Sequence, residues 1–138
     1  EVYTGAKRFE NGRFKGKRAL LSVTVGTSRE TYGHNGRSGD IELMLWPVNF
    51  SLALVGYAIL SPFVGYGVEG ALRYSDPAVV DARLKTIVEE FRSSLADIAE
   101  RPVVPFHTMA DWTKEGRIRP DAPVYSPYVR HRKALDLG

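Results

Sequence analysis

The run Lys17-Arg18-Ala19-Leu20-Leu21-Ser22-Val23-Thr24-Val25 is apolar and β-prone, and it stops abruptly at Gly26-Thr27. Ala19, Leu20, Leu21, Val23 and Val25 leave almost no polar alternation, the pattern of a central parallel strand covered on both faces. A parallel neighbour cannot be reached through a hairpin; it needs a crossover, usually a helix. The following residues supply one. Gly26 to Gly39 reads as a loop of Gly, Ser, Thr and Asn. Asp40 suits a helix N-cap, Ile41 to Trp46 makes the first turns, and Val48 to Val55 continues them. Pro47 removes a donor and predicts a kink or restart, and Gly56 predicts the stop. Tyr57 to Val64 then reads as a second strand, with Pro62 predicting an interrupted ladder or a sheet edge.

Gly65 to Tyr74 is a second Gly-rich loop at a strand end, and Pro77 to about Glu100 is the best-marked helix. Asp76 can cap it and Pro77 fits its first position. Val80, Leu84, Ile87, Val88, Phe91, Leu95 and Ile98 recur at three- and four-residue spacings, which predicts one apolar stripe facing a sheet. From Arg101 the periodicity fades into a tail marked by Pro102, Pro105, Pro120, Pro123 and Pro127, with Trp112, Tyr125 and Tyr128. A tail this aromatic is expected to pack on its own domain or on a partner subunit. The order strand, helix, strand, helix is an α/β pattern, a βαβ unit plus one helix. Residues 1–100 are expected to form the folded part and 101–138 an extended tail.

The chain has 138 residues, 43% hydrophobic and 25% charged, the balance of one globular domain rather than a disordered segment. Cysteine is absent, which excludes a disulfide framework, thiolate metal ligands and a thiol nucleophile. Three scattered histidines make no metal-ligand spacing, so no metal is expected. The net charge of +3 is spread out except at Arg130-His131-Arg132-Lys133, and no nucleic-acid-binding motif accompanies it. Leu43 to Val68 carries no charged side chain, yet Pro47, Pro62 and several glycines interrupt it. Buried helix and strand fit that stretch better than a membrane span.

The block Ala19-Leu20-Leu21-Ser22-Val23-Thr24, then Gly26-Thr27-Ser28, Tyr32, Gly36, Gly39-Asp40 and Leu45-Trp46-Pro47, resembles the NAD(P)H:quinone oxidoreductases without a gap. The likeness runs from Lys17 to about Phe91. It implies a flavodoxin-like, doubly wound parallel sheet, of which this chain carries only the C-terminal part: the fourth and fifth strands of a 2-1-3-4-5 order, with their helices. That family's first strand, phosphate-binding turn and flavin-stacking segment have no counterpart here, so one edge of the first strand is expected to lie open, and the isolated fragment is expected to hold flavin weakly and to be inactive, the enzyme being its parent protein. The resemblance implies flavin (FAD or FMN) held at the carboxyl ends of the strands, with NAD(P)H as co-substrate, a quinone as substrate, a homodimer and a cytoplasmic location. Thr24, Val25, Gly26 and Thr27 would lie along the flavin ring, and Arg83 near the dinucleotide. Tyr32 would support charge during hydride transfer, and Tyr66 would join Gly26 and Thr27 in the substrate pocket. The family pattern has a histidine where this chain has Ser38; His34 is the nearby candidate for its role.

Each of these residues also has a plainer reading. Tyr32, Tyr66 and His34 fit ordinary loop positions, Gly26-Thr27 a simple strand-to-helix turn, and Arg83 an exposed ion pair. Trp46 fits core packing, and His107 and His131 fit structural roles. Beside the flavoenzyme stand two alternatives: a non-catalytic flavodoxin-like ancillary subunit, or an incomplete fragment or interaction module without flavin.

Overall fold

The computed structural model describes residues 7–68, 73–126, 129 and 131. Its regular elements are β1 (Arg18–Thr24), α1 (Ile41–Leu54), β2 (Ala58–Gly65) and α2 (Pro77–Ala96), with short 3-10 turns at Phe9–Asn11, Arg29–Tyr32 and Met109–Asp111. β1 and β2 pair in parallel as a two-stranded sheet, with α1 as the crossover between them.

Local chemistry sets the helix ends as the sequence anticipates. Asp40 caps α1 by accepting the Glu42 N–H at 2.9 Å, and Asp76 caps α2 by accepting the Ala78 N–H at 2.8 Å. Each such cap contributes about 1 kcal/mol. Gly56, at φ +109°, ends the α1 turn in a conformation that side chains resist, and its N–H reaches the Ala53 carbonyl at 3.0 Å. Of the kink or restart expected at Pro47, the restart does not occur: α1 runs through it. Proline removes a single donor from the helix, and the Pro47 carbonyl accepts the Ser51 hydroxyl at 2.8 Å.

Pro62 does what its chemistry demands. Leu20 faces Leu60, but Ser22 faces Phe63, so β2 carries one extra residue at Ser61-Pro62 and the ladder slips there. The Arg101 guanidinium fills the slip: it donates to the Ser61 carbonyl, to the Pro62 carbonyl at 2.7 Å and to the Ser94 hydroxyl at 2.6 Å. Beyond Arg101 the tail follows the outer edge of β2. Ser61 N–H reaches the Pro102 carbonyl at 2.9 Å, and Val104 N–H reaches the Ile59 carbonyl at 2.8 Å.

Among the described residues, the other edge of the sheet is open. The Lys17 carbonyl and the Val25 N–H both bond to the β2 side. The alternate residues Arg18, Leu20, Ser22 and Thr24 therefore turn their N–H and C=O groups to the free edge. No residue of β1 is fully buried, although its composition is that of a central strand. The core centres on β2, where Ile59 and Leu60 are each 1% exposed.

The α2 stripe is only half used. Ile87 is buried and Phe91 meets the Phe63 ring at 5.1 Å, whereas Leu84, Val88, Leu95 and Ile98 stay exposed. The expectation that the whole stripe faces a sheet is corrected here. Two strands about 5 Å apart cannot cover a helix about 10 Å wide. The outer face of α1 likewise shows Met44 and Val48 to solvent.

The described part of the tail packs on its own domain; Pro127, Tyr128, Arg130, Arg132 and Lys133 lie outside the described residues. Trp112 stacks on Phe9 at 6.1 Å, Phe9 meets Phe50 edge-on at 6.0 Å, and Phe50 stacks on Trp46 at 4.7 Å. Buried His107 sits against the Trp112 and Tyr125 rings and bonds the Pro123 carbonyl at 2.7 Å. No helix among the described residues is long and apolar enough to cross a membrane.

Candidate functional site

The carboxyl ends of the two strands are tied together. Val25 N–H donates to the Gly65 carbonyl at 2.9 Å, Val68 N–H to the Val25 carbonyl at 3.0 Å, and Gly67 N–H to the Thr27 carbonyl at 2.9 Å. The Val25 and Thr27 carbonyls are thereby occupied. The N–H groups of Gly26 and Thr27 meet no backbone or side-chain acceptor among the described residues. Two neighbouring donors at the end of a parallel strand can receive an anionic or carbonyl-rich ligand edge.

The loop after Thr27 is braced from within. The Thr27 and Thr31 hydroxyls bond each other, Thr31 Oγ1 donates to the Ser28 carbonyl at 2.9 Å, and Ser38 N–H reaches the Thr31 carbonyl at 2.9 Å. Gly36 is obligatory in this wrap, because a Cβ there would lie 2.3 Å from the Thr31 carbonyl oxygen. The bracing presents the 3-10 turn Arg29–Tyr32 toward the end of β2.

Tyr66 is the meeting point. Its ring centroid lies 6.2 Å from that of Tyr32, at 54° between planes. The Arg29 guanidinium carbon lies 4.8 Å from the Tyr66 centroid. From α2, Arg83 donates to the Tyr66 carbonyl at 2.9 Å, and its other nitrogen lies 3.9 Å from Glu90. Beside Tyr66 opens a cleft of about 530 Å³, lined by Ser28, Arg29 and Glu30 on one side and by Val79, Arg83 and Glu90 on the other. The Glu30 carboxyl is held below its ordinary range, first by a hydrogen bond from the Ser28 side chain, then by its own backbone N–H and the Arg29 charge.

The structure thus brings Tyr32, Tyr66 and Arg83 to one place, with Gly26 and Thr27 in the loop that leads there. Neither Thr24 to Thr27, which precede the cleft, nor Tyr32, which meets it only through the Tyr66 ring, is part of its lining. His34 is exposed and makes no hydrogen bond or ring contact to these residues among those described. Ser38 is half-buried with its N–H engaged. Sequence reasoning missed Arg29, Glu30 and Glu90. The available signal for Arg29 was its three-residue spacing from Tyr32. A second cleft, of about 400 Å³, lies at the opposite end of the sheet among Phe9, Tyr57, Ile59 and Val103 to Thr108, and it holds none of the residues above. No group of three His, Asp or Glu side chains among the described residues is placed to hold a metal ion.

Residues 1–91 match the family model described as flavodoxin-like fold. Among curated proteins, NAD(P)H dehydrogenase [quinone] 1 of Cavia porcellus is 37% identical over 68 residues, 49% of this chain and 25% of that one. The human ribosyldihydronicotinamide dehydrogenase [quinone] is 36% identical over 86 residues, 59% of this chain and 37% of that one. A crystal structure of a candidate quinone reductase from Klebsiella pneumoniae superposes with a TM-score of 0.63 at 27% identity, over 83% of this chain and 42% of that one. The chain therefore spans between 25% and 42% of the length of these relatives.

Proposed function

The chain belongs to the flavodoxin-like fold family, and from that membership we propose that it forms the carboxyl-terminal share of a flavin-dependent NAD(P)H:quinone oxidoreductase. The observation that carries this reading is the pair of acceptor-free N–H groups at Gly26 and Thr27, beside the Tyr32–Tyr66 ring pair. That donor set fits the pyrimidine edge of a flavin, which offers carbonyl oxygens and gathers negative charge. When bound, the flavin supplies two-electron chemistry, taking hydride from NAD(P)H and passing it to a quinone in ping-pong order.

The residues have separable tasks in this proposal. Small side chains at Gly26 and Thr27 let the main chain approach the ligand, and their N–H groups stabilise charge as oxyanion-hole donors do. The Tyr32 hydroxyl donates toward the same charge. Tyr66 would wall the pocket that nicotinamide and quinone occupy in turn, with Gly26 and Thr27 at the strand end that leads to it. Thr24 and Val25 hold the strand end in register. Arg83, steadied by the Tyr66 carbonyl, would hold the dinucleotide part of FAD. Homodimerisation and a cytoplasmic location belong to the same proposal.

Ser38 supports a second reading. With serine in place of the histidine of the resembling family, and with His34 exposed and in no hydrogen bond or ring contact with the site residues among those described, the chain would bind flavin without turnover, as an ancillary subunit. One experiment separates the two. Purified protein is titrated with FAD and FMN by absorption and fluorescence, then mixed with NAD(P)H and a quinone. Flavin bands that bleach with NAD(P)H and return with quinone support the oxidoreductase. Flavin binding without bleaching selects the ancillary reading, and no flavin binding sets both aside in favour of the incomplete fragment without flavin.

A further inference from the structure

A 3-10 helix has three residues per turn, so side chains at i and i+3 eclipse. Arg29 opens the turn Arg29–Tyr32 and Tyr32 closes it, and the two side chains rise on one side. Both reach the same ring. The Arg29 guanidinium carbon lies 4.8 Å from the Tyr66 centroid, and the Tyr32 ring lies 6.2 Å from it. Arg83 holds the Tyr66 carbonyl at 2.9 Å, and Gly67 N–H ties the next residue to Thr27 at 2.9 Å, so the Tyr66 backbone is anchored on two sides. Only the orientation of the Tyr66 ring is left to side-chain contacts.

The Tyr32 hydroxyl makes no hydrogen bond among the described residues, so its direction depends on what its ring leans against. We propose that Arg29 is a positioning residue for Tyr32, acting through the Tyr66 ring. The guanidinium lies over Tyr66, restricts its rotation about the side-chain torsions, and so presents a fixed surface to Tyr32. Arg29 itself is exposed, and core packing gives no reason for a planar cation there. A guanidinium over an aromatic face does give one, because it stacks as well as attracts. For catalysis the inference rests on the flavin reading above; the contact through Tyr66 stands without it.

The test uses the full chain and two readouts. The first needs no cofactor. Protein carrying ring-labelled tyrosine is examined by NMR, with Tyr32→Phe and Tyr66→Phe spectra assigning the two resonances. Arg29→Met is expected to shift both, Arg29→Lys to shift them less, and the control Arg37→Met to leave both in place. An unmoved Tyr32 signal in Arg29→Met overturns the proposal. The second readout is the rate of hydride transfer in flavin-loaded protein. Arg29→Met is expected to lower it about twofold to fivefold, the worth of an exposed cation–π contact. In a Tyr32→Phe background the same substitution is expected to do nothing further. Additive losses overturn the proposal. A Tyr32→Phe protein with an undiminished rate, or a chain that takes up no flavin, refutes the flavin reading instead, and the NMR arm then decides the contact alone.

Discussion

Replacing Arg101 by alanine is expected to be among the most damaging single changes outside the site. Arg101 lies just past α2, yet its guanidinium reaches the bulge of β2, bonding the Ser61 and Pro62 carbonyls and the Ser94 hydroxyl. A hydrogen bond to a charged group is worth about 1.5–3 kcal/mol when well buried. Arg101, Ser61, Pro62 and Ser94 are all half-buried, so water replaces part of what alanine removes. Three bonds discounted in this way leave about 2–3 kcal/mol. For a chain of 138 residues, each kcal/mol moves the melting temperature by about 3–5 °C, so Arg101→Ala should melt about 6–15 °C below the parent. Thermal unfolding followed by circular dichroism reads this directly. Arg101→Lys is expected to recover less than half, because one ammonium cannot serve divergent acceptors as a planar fork does. The change should also reach the site. The bulge sets the register that brings Gly65 opposite Thr24, and a slip of one residue would turn Tyr66 away from Tyr32. An Arg101→Ala protein melting within about 1 °C of the parent would refute the argument that this side chain holds the bulge.

Gly36→Ala drives a methyl group against the Thr31 carbonyl, 2.3 Å away, so the loop must open; flavin titration is expected to show affinity falling by about tenfold or more, with little change in melting temperature. Glu30 has a carboxyl pKa lowered in the folded chain, so its contribution is present above the unfolded value and is lost as pH falls through the folded one. Glu30→Gln should therefore differ slightly from the parent in melting temperature near neutrality and converge with it in acid; a gap that persists in acid contradicts the assignment. Ser22→Lys places a charge on the open edge of β1, where it costs no core contact, and light scattering at high concentration should show less self-association than in the parent.

The sequence by itself determined the parts governed by near neighbours. Asp40 and Asp76 at the helix starts, Gly56 at the α1 stop and the apolar run of β1 are legible because caps, turns and strand propensities act within a few residues. Pro62 announced a broken ladder for the same reason: a missing donor is a property of the residue itself. The resemblance carried Tyr32 and Arg83 as candidates and the strand end carried Tyr66, but their meeting at Tyr66, one at its ring and the other at its carbonyl, was not legible. Only the tertiary structure decided that Arg29 lies over Tyr66, that Arg101 fills a bulge some forty residues before it, and that the tail covers the outer edge of β2. It decided as well that half of the α2 stripe faces solvent, because an amphipathic pattern states which face is apolar and leaves open how much sheet there is to cover it. Those outcomes depend on pairings between distant segments, and neither partner carries a local mark of the other.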